Sequence, residues 1–221
     1  MDREIYNKIE TFMLDMMNDF AHDSLHIYRV LHHALDISIT HGEINRDVLI
    51  ASCLLHDIGR NLQFQNPQLC HAVEGGKMAY AYMKKLGWSE NLSAHVQSCI
   101  TTHRFRIGNV PETIEAKILF DSDKLDVSGA IGIARSLIYR GQVGEPLYTV
   151  NDKRQIHDGA NLADPESFFK EYHFKLTKVY DQFYTKEAAI TAEKRKKIAV
   201  SFFAELQREV AIDNLNELLY L

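Results

Sequence analysis

The chain has 221 residues, 46% of them hydrophobic and 25% charged, with a formal net charge of −5 and a pI near 6.1. This is ordinary globular composition, enough for one large domain or a domain with a helical extension. It excludes a basic footprint for non-specific nucleic-acid binding and a polybasic membrane patch, so a small anionic substrate has to be drawn by a local positive centre.

Residues 3–19 carry Ile5, Ile9, Phe12, Met13 and Met16 at helical spacing. Their charged start, MDREIYNKIE, has no apolar h-region, and no apolar run reaches the length of a membrane span. Cys53, Cys70 and Cys99 are odd in number and lack C-x-x-C spacing, which points to a reducing compartment. A soluble, cytoplasmic protein is expected. A second helix, 24–41, places Ile27, Val30, Leu31, Ala34, Leu35 and Ser38 on one stripe, with Asp23 as N-cap and Gly42 as terminator. His26 falls on the edge of that stripe. Residues 47–57 (DVLIASCLLHD) are apolar on every side, the pattern of a helix buried all round.

Further helices are predicted at 67–86, 89–103, 112–126, 129–140, 165–184 and 186–219. Asn66-Pro67 and Asp164-Pro165 read as N-caps followed by proline, and Lys84-Lys85 before Gly87 as a helix end. No stretch reads as a convincing strand. The predicted organisation is therefore all-α: a helical core over 1–140, a long loop over 141–164 that is a candidate lid, and C-terminal helices over 165–221. The loop carries Lys153, Arg154 and His157.

His56-Asp57 closes the buried helix. A bare carboxylate in a last turn opposes the helix dipole, at a cost of up to about 1 kcal/mol, and burial adds to that cost. A divalent cation shared by the carboxylate and the imidazole removes the conflict. Adjacent helical side chains diverge by about 100°, so convergence on one ion requires the helix to end there, and Ile58-Gly59 supplies the break. A lone His-Asp pair would read as a polar helix end, but here His26 lies upstream. His71, His95 and His103 follow, and then the cluster Asp121-Ser122-Asp123-Lys124-Leu125-Asp126.

The order His26, His56-Asp57, Asp123, in the contexts HIYRVLHHA, LLHDIG and DSDKLD, resembles the HD-domain superfamily of metal-dependent phosphohydrolases. DSDKLDVSGAIGIAR and HAVEGGKMA are similar to the bacterial branch of YpgQ- and YedJ-like proteins, and the resemblance covers about residues 20–140. It implies an HD-domain helical bundle with one divalent metal on His26, His56, Asp57 and Asp123, manganese or magnesium by analogy. Asp121 stays open as the alternative to Asp123. The two face nearly opposite ways on a helix, while Asp126 shares the Asp123 face.

His71 and His103 fall where two-metal relatives keep extra histidines. They can hold a second metal, grip a phosphate when protonated, or line the wall of the cleft; Asp57, His71 and His103 are the catalytic candidates. Arg29 either reaches a substrate phosphate or braces an aspartate, and Lys124 and Arg60 are phosphate candidates. Glu74 is open between orienting His71 and facing solvent, and His95 reads as ordinary. No P-loop, dinucleotide fingerprint or nucleophile elbow is present, and Gly75-Gly76 is too sparse to cradle phosphates.

The resemblance implies hydrolysis of nucleoside triphosphates to monophosphate and pyrophosphate. The alternatives are an HD-type 5′-nucleotidase or cyclic-nucleotide phosphodiesterase, and a non-catalytic, metal-stabilised nucleotide sensor. A small phosphate ester or nucleotide is the expected partner, with no nucleic acid and no membrane; a homodimer is compatible with the sequence.

Overall fold

The computed structural model describes residues 1–17, 24–104 and 109–211, and apart from isolated bridge residues these form helices, turns and loops. No helix among them is long and apolar enough to cross a membrane. The chain divides into two compact units, residues 1–126 with 183–188, and residues 127–182 with 189–221. The division falls earlier than the 1–140 boundary expected from sequence, and α8 (Gly129–Gln142) belongs to the second unit.

The first unit is built from α1 (Arg3–Met16), α2 (Ser24–Ser38), α3 (Arg46–Leu55), α4 (Arg60–Gln65), α5 (His71–Lys85), α6 (Glu90–Thr102) and α7 (Ile114–Asp126). The expected central helix is α3. Asn45 caps it by accepting from Val48 N at 3.1 Å, and residues 51–59 are all buried. It packs against α1, α2, α5, α6 and α7, which explains why it can be apolar all round. The α2 stripe is buried as expected except for half-buried Leu35, and His26 is buried with it.

Several predicted boundaries move. Helix α2 ends at Ser38, whose Oγ donates to Leu35 O at 2.7 Å, and Gly42 is not its left-handed terminator. The predicted Asp23 cap lies outside the described residues. Asn66 does not start a helix. It closes α4 in an extended conformation, φ −137° and ψ 96°, as the residue before proline prefers. Its Oδ1 accepts from Gln68 N at 3.2 Å, and α5 begins only at His71. The α5 end is as expected: Gly87 has φ +86°, with Lys84 and Lys85 in the last turn.

The second unit surrounds a cluster of Ile133, Phe168, Phe169, Tyr172, Leu176, Ala199 and Phe203. The predicted 165–184 helix is broken into α9 (Phe168–Glu171), a π-turn (Tyr172–Leu176) and a 3₁₀ turn (Thr177–Asp181). Asp164 does not cap it; its carboxylate accepts from Gly159 N at 3.1 Å, and Ser167 is the N-cap. The 141–164 segment is a built loop. Val150 bridges Ile156, Asn151 Oδ1 accepts from Lys153 N and Gln155 N, and Tyr148 and Ile156 pack on the cluster. Helix α10 (Lys186–Glu209) completes the chain's described helices.

Candidate metal centre

The break after α3 is where the site forms. The helix ends at Leu55, and residues 56–59 turn into α4. The turn needs glycine: a Cβ at Gly59 would stand 2.3 Å from His71 O and 2.6 Å from Gly75 N. That close approach seats the start of α5, and with it His71, against Asp57. Gly76 plays the matching part toward α6, where a Cβ would meet Thr101 Oγ1 at 2.7 Å. The Gly75-Gly76 pair is therefore a packing device.

Four imidazoles converge, and each has its Nδ1 committed to an acceptor. His26 Nδ1 donates to Asp126 Oδ2 at 2.7 Å, His56 to Cys53 O at 2.8 Å, His71 to Gln63 Oε1 at 2.5 Å and His103 to Ile100 O at 2.5 Å. Carbonyl and carboxylate oxygens cannot donate, so Nδ1 of His26, His56 and His103 carries a hydrogen, and each Nε2 faces inward, where it offers a lone pair when its ring is neutral. This is how metal-ligating histidines are held.

Those Nε2 atoms fall into two groups around the two oxygens of Asp57. Asp57 Oδ2 lies 3.7 Å from both His26 Nε2 and His56 Nε2. Asp123 Oδ1 joins this group at 3.3 Å from His26 and 3.8 Å from His56. Asp57 Oδ1 lies 3.4 Å from His71 Nε2 and 3.8 Å from His103 Nε2. In each of the two sets, His26/His56/Asp123 and Asp57/His71/His103, the donor atoms lie within 4.8 Å of one another. All are buried except Asp123, whose side chain is 21% exposed and marks where the site opens.

The electrostatics fit a cation. His71 Nε2 and His103 Nε2 are buried without a hydrogen-bond partner, which is costly unless something that accepts their lone pairs is placed between them. Burial works against charge on Asp57, yet Arg60, His56, His26 and His103 hold its carboxyl well below the usual range. Burial also opposes Asp123, and the hydrogen bond from His26 overrides it in the same direction. His26 shows the reverse balance: burial lowers its pKa, but Asp123 and Asp126 raise it to about 9. Burial lowers His71 to about 2, with Arg60 adding to it, and lowers His103 to about 4, with His56 adding to it. Both are neutral at pH 7, so the reading of these two as protonated phosphate grips gives way to one of lone-pair donors.

The structure separates the candidate residues. Asp121 points away from the centre and is buried; it accepts from Tyr184 N at 2.9 Å, Thr185 N at 2.7 Å and Thr185 Oγ1 at 2.6 Å. Arg29 braces an aspartate, donating from Nε to Asp126 Oδ1 at 2.6 Å and from Nη2 to Asp126 Oδ2 at 3.1 Å. Arg60 Nε sits 2.9 Å from Asp57 Oδ1 as an ion pair. Lys124, expected at a phosphate, lies over the Phe120 and Phe183 rings at 4.9 and 5.7 Å from their centroids. Being one residue past Asp123 turns it by about 100° from the inward face. Glu74 pairs with Lys77 at 2.8 Å, and His95 meets Thr113 Oγ1 at 3.0 Å and Glu115 at 3.3 Å. The residues missed from sequence are Gln63, which orients His71, and Arg104, whose Nη1 lies 3.4 Å from His71 Nδ1.

Residues 24–128 match the family model described as "HD domain". Over 212 residues the chain is 26% identical to the uncharacterized protein YpgQ of Bacillus subtilis strain 168, covering 92% of each. The crystal structure of Bacillus subtilis YpgQ in complex with ADP is similar at a TM-score of 0.71 and 24% identity, over 94% of this chain and 98% of that one. An HD-superfamily hydrolase from Bacillus thuringiensis is similar at a TM-score of 0.70 and 28% identity, over 94% and 97%. His26, His56-Asp57 and Asp123 are brought together inside the segment, residues 24–128, that matches the HD domain.

Proposed function

We propose that the chain is a metal-dependent phosphohydrolase that converts nucleoside triphosphates to monophosphate and pyrophosphate. One observation carries the reading: the two oxygens of Asp57 face two sets of inward Nε2 atoms whose rings are held by hydrogen bonds at Nδ1. His26, His56, Asp57 and Asp123 would hold a divalent ion, with manganese or magnesium favoured. Such an ion supplies Lewis acidity toward a phosphoryl oxygen and acidifies water. The nucleotide is supported by YpgQ, whose structure was obtained in complex with ADP.

The chain's own groups divide the remaining work. Neutral His71 and His103 accept hydrogen bonds at Nε2 and so orient the attacking water. Asp126 and Arg29 keep the His26 ring in register. Arg29 and Arg60 are 31% and 37% exposed, so their outer N–H groups are within reach of phosphate oxygens. Water oxygen bonds to the α-phosphorus and releases its proton to solvent, the bond from that phosphorus to the bridging oxygen breaks, and pyrophosphate leaves with the electron pair.

A complete second donor set, Asp57/His71/His103, favours one further reading, an HD-type phosphodiesterase or 5′-nucleotidase. One assay separates them. Metal-stripped protein is re-supplied with manganese, magnesium, cobalt or zinc and given tri-, mono- and cyclic nucleotides, with phosphate and pyrophosphate detected separately. Equal amounts of monophosphate and pyrophosphate from triphosphates are expected. Phosphate from monophosphates alone, or ring opening alone, would establish the second reading, and binding without product in any metal would leave a sensor.

A further inference from the structure

Asp57 Oδ1, His71 Nε2 and His103 Nε2 make a donor triangle in which all three atoms are buried and neither imidazole nitrogen has a hydrogen-bond partner. A triangle of this kind attracts a second cation, yet a positive charge already stands on its carboxylate corner. Arg60 Nε is 2.9 Å from Oδ1, whereas Oδ2 faces His26 and His56 at 3.7 Å. The placement follows from the chain: Arg60 is three residues after Asp57, at the first position of α4, across the turn that Gly59 permits.

We propose that Arg60 is a built-in counter-ion that restricts this centre to one tightly held divalent cation by occupying the charge position of a second. The inference rests on the metal reading above. A guanidinium cannot be deprotonated in a protein, so a divalent ion entering the triangle must lie against it or displace it from Asp57. Either way the second binding step is weakened. The first set, on the other oxygen of the same carboxylate, is affected less because the Coulomb term falls with distance. Lysine at this position would preserve the effect, because the charge carries it; a neutral side chain of similar length would not.

The test is a titration of the metal-stripped full-length protein with Mn²⁺, followed by calorimetry and electron paramagnetic resonance. Wild type should take one equivalent tightly, with the six-line spectrum of an isolated ion, and a second at least about tenfold more weakly. Arg60→Met should tighten the second equivalent about tenfold or more and give the spectrum of two exchange-coupled ions. Arg60→Gln should move in the same direction, and Arg60→Lys should stay with wild type. His71→Ala placed on Arg60→Met should remove the gained equivalent. An unchanged second step in both neutral variants, or two equally tight equivalents in wild type, would overturn the inference while leaving the metal reading intact. No binding to wild type would overturn the metal reading itself.

Discussion

Asp57→Ala is expected to lower hydrolysis by about three orders of magnitude and to abolish tight metal retention. The expectation follows from the position of its two oxygens. Removing the carboxylate takes an oxygen from each donor set and leaves four Nε2 atoms facing one another with no anion to balance a dication. Asp57→Asn keeps the shape and loses the charge, so it should fail almost as completely if charge is the cause. Asp121→Ala is the informative contrast. It strips the acceptor from Tyr184 N, Thr185 N and Thr185 Oγ1, so it should cost about 3 kcal/mol of stability while metal is still bound. Metal content by mass spectrometry, turnover and denaturant midpoints distinguish the two patterns. An Asp57→Ala protein with wild-type turnover would contradict the mechanism.

Metal affinity should fall by about a hundredfold between pH 9 and pH 7. The proton on His26 is the reason. In the metal-free protein Asp123 and Asp126 outweigh burial and raise its pKa to about 9, above the ordinary imidazole value of 6.5. The proton's contribution to the metal-free fold is therefore full below about 6.5 and is lost as pH rises through about 9. A cation needs the same Nε2 and must expel that proton, so each unit of pH below 9 weakens binding about tenfold. His71 and His103, lowered to about 2 and about 4, are neutral across this window and add nothing to the slope. Asp57 and Asp123, held well below the carboxylate range, are ionised throughout it. Chelator competition at pH 7, 8 and 9 measures the slope. A flat profile would mean that His26 carries no proton to displace.

Much of this centre was legible in the sequence because its parts are local. The apolar run of α3 announces its burial, His56-Asp57 marks its end, and the helical phase of His26 places it at the edge of a buried stripe. The 200° between residues 121 and 123 separates two aspartates that composition cannot tell apart, and the structure sends Asp121 to Thr185 and Asp123 to His26. What could not be read depends on α4. A six-residue helix whose N-cap, Gly59, makes no side-chain hydrogen bond leaves little periodic signal, so the ion pair of Arg60 with Asp57 and the hold of Gln63 on His71 have no sequence signature.

Tertiary geometry overrode other local cues. Pro67 looked like a first helical residue, but it follows a closed α4 and precedes a turn that delays α5 until His71 meets Asp57. Gly75 and Gly76 looked idle because their use is in contacts with distant segments, Gly59 for one and the Gln97 and Thr101 turn of α6 for the other. In the second unit the pattern of 165–184 reads as one helix. Burying Phe168, Phe169, Tyr172 and Leu176 together is met there by a change of helical pitch instead.

The most direct measurement is an anomalous-scattering map from a crystal soaked in Mn²⁺ and recorded on both sides of the manganese absorption edge. The proposed centre predicts a strong peak within about 2.3 Å of His26 Nε2, His56 Nε2, Asp57 Oδ2 and Asp123 Oδ1. A peak elsewhere in the molecule, with none at these four side chains, would contradict it.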